Sequence, residues 1–464
     1  MKKRILKDES GRINASAEKQ REYVENLSKL INCKTVFTKD GENAAEFEKF
    51  YSEVATIFPL LSAKAERLIF GSGCFVYIVR GKNAKKNIML MSHHDVVAGS
   101  DTWDTDPFVA TERDGYLFGR GTIDTKTPLF AELQAIEELL SEGYELDGFD
   151  LYIASSNNEE VSGDGMVLAT EYFKKNGIFF ETVLDEGGAI TAGQIPGVKC
   201  KSAVVAVHEK SRHTYRCTAR LDAKGHGGFG GATDSAVERL SGFIAEVSAK
   251  RGKIYKGRFY PEVKATFERH APYMSAPLNI LFGNIGLFSP IIKKIMMGIP
   301  AARAMLSTGV SFTTLSGGDE TDPHLRAKEA TASMFLRCVR EDDLERGLLK
   351  IKEIAKKWGV EIELIERDYC KPTSFDSSAY KSVETLLNKN FPDVVVVPFL
   401  LTAGTDARRL TDVAANILRF APIDLSKAQF STIHADNEHI GVKNIGECVV
   451  FYKDFIKLQK GDSI

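Results

Sequence analysis

The sequence predicts an α/β protein in which a mostly parallel sheet is interrupted by an inserted ferredoxin-like β-α-β-β-α-β unit. Short apolar runs at 87–92 (NIMLMS), 151–155, 182–184 and 394–397 have the length and continuous hydrophobicity of strands buried on both faces. Helical patterns lie between them, and strands alternating with helices imply a parallel sheet. The length of 464 residues exceeds what one ordinary domain needs, which leaves room for an insertion.

In chain order, the run at 87–92 follows a Gly/Lys/Asn turn and starts the sheet. Leu129, Leu133, Ile136 and Leu140 then recur on one face at helical spacing. From His213 to 221 the pattern becomes strictly alternating, as in a strand with one wet face. A helix near 235–250, strands at 309–315 and 330–337, a helix at 342–358 and a strand at 360–365 complete a split βαβ unit. Roughly 55 extra residues separate its first helix from its second strand. The expected division is an outer α/β domain, 1–208 and 371–464, with the ferredoxin-like domain inserted at 209–370.

Composition narrows the function classes. Hydrophobic residues at 43% and charged residues at 27% fit an ordinary globular protein and exclude disordered and fibrous classes. Sixty-one basic against 63 acidic residues give a net charge of −2, so neither nucleic acid nor an anionic membrane is the expected partner. The first 20 residues are basic but have no apolar core of signal-peptide length, and the expectation is no export. The apolar stretch 276–305 is broken by Pro290, Lys293, Lys294 and Pro300, which predicts a helical hairpin on the protein and not a span. Seven cysteines without C-x-x-C spacing suggest neither a disulfide framework nor a thiolate metal site, and a cytoplasmic location is expected.

Five polar clusters follow strand ends, where open α/β sheets present their sites. His93 closes the first strand in SHHDVV, with Asp95 two residues on to fix its tautomer; by itself this also suits a histidine capping a loop. Asp124 ends the glycine-rich turn of GRGTIDTK, as a ligand or as a helix N-cap. Glu159 and Glu160 in NNEE are adjacent carboxylates whose repulsion is justified by two roles, one on a metal and one as a base. Asp185 ends a strand in LDEGG, and His434 lies in the late polar loop IHADNEH. Together they make the mixed nitrogen and oxygen set that suits zinc or a similar divalent metal.

These five runs, in this order, resemble the dinuclear-zinc family of aminoacylase, carboxypeptidase G, succinyl-diaminopimelate desuccinylase and carboxypeptidase S. WDTDPF at 103–108, LDEGG and the stretch 304–318 look closest to carboxypeptidase S. The resemblance implies a zinc-exopeptidase catalytic domain with a lid or dimerisation domain inserted. It implies that Asp124 bridges two zinc ions, with His93 and Asp185 completing one site and Glu160 and His434 the other. Cobalt or manganese are the alternative metals. The metals would share and acidify a water, Glu159 would be the general base, and Asp95 would orient His93. His226 matches a histidine of the inserted domain that donates to the developing oxyanion, in many dimers from the partner subunit, and Arg337 matches the arginine that grips the substrate carboxylate.

Departures from the family pattern are Asn158 in place of aspartate, Gly228 and Gly230 in place of serine and proline, and Asp322 in place of asparagine. The expected activity is hydrolysis of an amide bond next to a free amino-acid carboxylate, in a small peptide or an N-acyl amino acid. The alternatives are a dipeptidase and an inactive metal-binding homologue serving as a binding module. A homodimer through the inserted domain is the expected assembly.

Overall fold

The structure, a computed structural model, describes residues 3–193, 197–221, 235–319, 321 and 325–461. Its central sheet is built from β1 (Glu66–Phe70), β2 (Cys74–Val79), β3 (Lys82–His93), β4 (Asp147–Ser156), β5 (Phe180–Asp185), β6 (Ile190–Thr191) and β7 (Lys201–Glu209). The inserted strands β8 (Ser211–Arg220), β9 (Gly309–Gly317), β10 (Glu329–Cys338) and β11 (Val360–Asp368) follow, and β12 (Val394–Leu401), β13 (Ala414–Arg419) and β14 (Asp424–Leu425) return to the central sheet.

The central order is β1-β2-β4-β3-β5-β13-β7-β6-β14, with β12 paired to β7. The neighbours of β3 are parallel, as is β13 on β5, so the carboxyl ends of β3, β4 and β5 lie side by side. Ile88, Met89, Leu90 and Met91 are buried on both faces of the sheet, which is why the run lacks polar alternation. Helix α1 (Lys126–Ser141) packs on β3 and between helices Ala17–Ile31 and Val442–Lys460, so it is buried on every side and not only along the Leu129–Leu140 stripe. Its charged groups are partnered accordingly. Lys126 donates to the carbonyls of Leu30 and Cys33 at 3.0 and 2.8 Å, and the Glu137 carboxylate accepts the amides of Leu60 and Leu61 at 2.9 and 2.7 Å.

Strands β8 to β11 form a separate antiparallel sheet in the order β9-β10-β8-β11, with helices α2 (Ala236–Ile254) and α3 (Glu341–Trp358) over one face. That is the β-α-β-β-α-β connectivity anticipated from the sequence. The extra residues between α2 and β9 fold as helices Pro261–His270, Leu278–Gly283, Ile285–Gly298 and Pro300–Leu306, which share their own apolar cluster. All seven cysteines are free thiols, and no helix among the described residues is long and apolar enough to cross a membrane.

The chain crosses between the two sheets at Glu209, the end of β7, and at Asp368, the end of β11. Fully buried Glu209 accepts from Arg419 at 2.6 Å and from the amide and hydroxyl of Thr405 at 3.2 and 3.1 Å. Asp368 accepts from Arg408 at 2.5 Å, Arg212 at 3.0 Å and Arg409 at 3.2 Å. Both crossings are thereby tied to residues 405–409. Removing one partner of such a buried pair leaves an uncompensated charge, so Glu209→Gln is expected to destabilise the protein by roughly 3–5 kcal/mol in urea unfolding.

Candidate metal centre

His93 ends β3 with its ring buried. Nδ1 lies 2.9 Å from the carbonyl of Asp95 and donates to it. The neutral ring then turns the Nε2 lone pair toward Asp124 Oδ1, 2.9 Å away, which is repulsive unless a proton or a metal sits between them. Strand alternation sends the next residue the opposite way. His94 stacks on Phe50 and Phe75 and bonds Ser155 at 2.8 Å, and burial drives its pKa well below the usual value, so it is a neutral core histidine.

Asp95 does more than the sequence suggested. Its backbone carbonyl, and not its carboxylate, is the nearer acceptor for His93, the carboxylate being 3.4 Å away. The carboxylate accepts the amides of Glu159 and Glu160 at 3.1 and 3.0 Å, which ties the loop after β4 to the end of β3. Asn158 stays structural, holding Asp164 and the amide of Gly165 at 3.1 and 3.3 Å at the start of helix Gly165–Lys175.

Asp124 is held from the far end of the chain. The buried carboxylate of Glu438 accepts the amides of Gly121, Ile123 and Asp124 at 3.1, 2.7 and 3.1 Å and pairs with Arg120 at 2.8 Å. Gly121, at φ +88°, supplies the left-handed turn that aims these amides at one acceptor. Four residues before Glu438, His434 places Nε2 at 3.0 Å from Asp124 Oδ2 and 3.1 Å from Glu160. Asp124 is thus flanked by two histidines through its two oxygens.

The protonation equilibria mark a site that demands a cation. Burial opposes protonation of His93, yet its contacts with Asp124 and Asp95 outweigh burial and raise its pKa well above the usual value. Hydrogen bonds with Asp124 and Glu160 push His434 up to about 10. Burial raises the Glu159 carboxyl, Asp406, Asp95 and Asp124 adding to the effect against His93. Burial, followed by Asp124 and Asp185, raises that of Glu186. So many acids around two imidazoles fit divalent metal ions, whose charge these protons replace. His93, Asp124 and Glu160 bring ligand atoms within 4.8 Å of one another.

A cavity of about 280 Å³ opens on this cluster, walled by Asp124, Glu159, Glu160, Glu186 and His434 with apolar residues such as Phe430. His93 is not in its wall, and neither is Asp185. At the end of β5 its side chain accepts the amide of Ala407 at 3.3 Å, and the next residue, Glu186, turns toward the cavity. The adjacency argument that singled out Glu159 and Glu160 applies equally to Asp185 and Glu186. Glu438 carried no comparable signal, because the amides it gathers lie more than 300 residues earlier.

Arg337 lines a neighbouring cavity of about 750 Å³ with Lys210, Arg251 and Arg303. It donates to the carbonyl of Thr402 at 2.5 Å, next to Leu401 and Ala403 of the metal-site cavity, and pairs with no carboxylate among the described residues. His226, Gly228, Gly230 and Asp322 lie outside the described residues.

The pattern of peptidase family M20/M25/M40 matches residues 89–458. The N-fatty-acyl-amino acid synthase/hydrolase PM20D1.1 of Danio rerio is 28% identical over 457 residues, covering 96% of this chain and 87% of the relative. A probable carboxypeptidase S-like 2 of Dictyostelium discoideum is 28% identical, covering 94% and 85%. Among solved structures, the M20 family metallo-carboxypeptidase Sso-CP2 of Sulfolobus solfataricus shares the fold with a TM-score of 0.66 at 17% identity, over 95% of this chain and 100% of that one.

Replacing Glu438 by Gln puts an amide where four donors converge and should loosen Asp124 and His434 together. Chelator competition is expected to show metal affinity about 10–100-fold weaker, with activity partly restored by excess metal.

Proposed function

The chain belongs to peptidase family M20/M25/M40 and is a metal-dependent hydrolase, and from that premise we propose that it cleaves an amide bond next to a free amino-acid carboxylate. The substrate would be an N-acyl amino acid or a small peptide. Relatives named N-fatty-acyl-amino acid synthase/hydrolase, matching nearly the whole chain, favour the acyl form. The observation that carries the reading is the meeting of Asp124, Glu160, Glu186 and His434 around one cavity, with His93 behind Asp124 and an arginine without a carboxylate partner among the described residues beside it.

Two zinc ions are the proposed metals, one held by His93, Asp124 and Glu186 and the other by Asp124, Glu160 and His434. Glu186 here takes the place the sequence gave to Asp185. When bound, zinc supplies Lewis acidity at the scissile carbonyl and lowers the pKa of a water. Glu159 lines the cavity, and its carboxylate bonds to no other described side chain, which suits a base that accepts a proton and returns it to the leaving amine. Asp95 fixes the Glu159 backbone, so the base does not drift from His93. The planar fork of Arg337 would hold the substrate carboxylate.

Residues 209–370 are proposed to act as an inserted domain over the site, carrying Arg337 and contributing His226 as the donor to the developing oxyanion. His226→Ala should then lower kcat much more than it raises KM.

The decisive test is a panel of N-acyl amino acids and dipeptides, assayed with metal content before and after chelation. Chelation should abolish cleavage and zinc should restore it. Glu159→Gln is expected to abolish turnover with both metals retained, Glu186→Gln to lose about one metal per chain, and Asp185→Asn to keep both. Loss of metal in Glu159→Gln with retention in Glu186→Gln would exchange the two roles.

A further inference from the structure

Helix Ile285–Gly298 buries Ile285, Ile292 and Met296 against the protein, as an amphipathic helix should. Its opposite face is not polar. Leu287, Ile291 and Ile295, spaced four apart and therefore stacked along one side, are 76%, 57% and 58% exposed. Ile280 on the preceding helix and Ile299 beyond its end extend the surface at 56% and 49%. Five large aliphatic side chains exposed within residues 280–299 are the kind of surface that marks an interaction site.

Charge decides which occupant fits. Residues 276–306 contain Lys293, Lys294 and Arg303 and no aspartate or glutamate, in a chain whose net charge is −2. Lys293 and Lys294 are exposed within the helix, where their stems can lie along the apolar face and their ammonium groups reach outward. A second copy meeting this face across a two-fold axis would set these lysines against their own images, with no carboxylate from residues 276–306 to separate them. An anionic bilayer surface offers acyl chains to the isoleucines and lipid phosphates to the lysines.

We propose that the face formed by Ile280, Leu287, Ile291, Ile295 and Ile299 docks the protein on the surface of an anionic lipid membrane, lying in the interface without spanning it. This proposal departs from the expectation of no membrane partner drawn from net charge, which averages a local basic apolar patch with the acidic remainder. On its inner side the hairpin contributes Met297, Pro300 and Arg303 to the cavity that holds Arg337, so the docked face and that cavity share one wall.

Vesicle co-sedimentation of the full chain tests the proposal, using phosphatidylcholine alone and phosphatidylcholine mixed with phosphatidylglycerol. Partitioning should be at least about tenfold stronger on the anionic vesicles and should fall as salt rises. Leu287→Ser/Ile291→Ser/Ile295→Ser alters only exposed positions outside the metal site, and should keep metal content while losing vesicle binding. Lys293→Glu/Lys294→Glu, which leaves the aliphatic residues intact, should abolish the preference for anionic lipid. Failure to sediment with either vesicle, or equal sedimentation with both, would overturn the proposal. A concentration-dependent dimer in sedimentation velocity that the triple serine variant abolishes would assign the face to a second copy instead.

Discussion

The Glu438 carboxylate is the interaction on which the metal centre depends. Asp124 and His434 stand on segments separated by more than 300 residues, and neither loop has regular structure of its own to fix its ligand. Glu438 gathers the Gly121, Ile123 and Asp124 amides and the Arg120 guanidinium in a buried setting, where each charge-assisted bond is stronger than in water. The same loop clasps the segment after β3, with the Asn437 side chain accepting the Asp104 amide at 2.9 Å. Segments more than 300 residues apart thereby close on the site as one piece.

Around that anchor, carboxylates serve two purposes that the sequence does not distinguish. Asp95, Glu209, Asp368 and Glu438 accept from backbone amides, hydroxyls and arginines, and so act as fixed connectors. Glu159 and Glu186 face the cavity with no described side chain bonded to their carboxylates. Partnering, more than residue type, separates the two groups.

This explains which parts were legible. The runs at 87–92 and 151–155 declared strands because burial on both faces leaves no room for polar alternation, and a site at their carboxyl ends followed from topology. His93, Asp124, Glu160 and His434 could be named as candidates because each sits in a polar run directly after a strand or turn, and the structure brings the four side chains together. Which of Asp185 and Glu186 faces the cavity could not be read in this way, since it turns on the pleat phase in the last residue of β5, and a one-residue shift reverses the direction of a side chain. The role of Glu438 was hidden because hydrogen bonds to backbone amides leave no pattern in the residue types they join. The exposed isoleucines of helix Ile285–Gly298 were equally hidden, because a helix apolar on most of its circumference does not announce which side the protein covers.

The crossings at Glu209 and Asp368 connect these observations mechanically. Both bind arginines of the segment from Thr405 to Arg419, and Thr405 and Gly404 line the metal-site cavity. The small sheet, which carries Arg337, therefore enters and leaves through two anchors fastened to the wall of the cavity it adjoins. A rotation of that sheet would have to pull on Glu209 and Asp368 together, and a buried ion pair with fixed partners resists such a pull more than a packed apolar contact does, because a partial displacement leaves charge without compensation. The position of Arg337 relative to the cavity that Asp124 and His434 line is thereby fixed by these anchors as well as by the packing of the sheets.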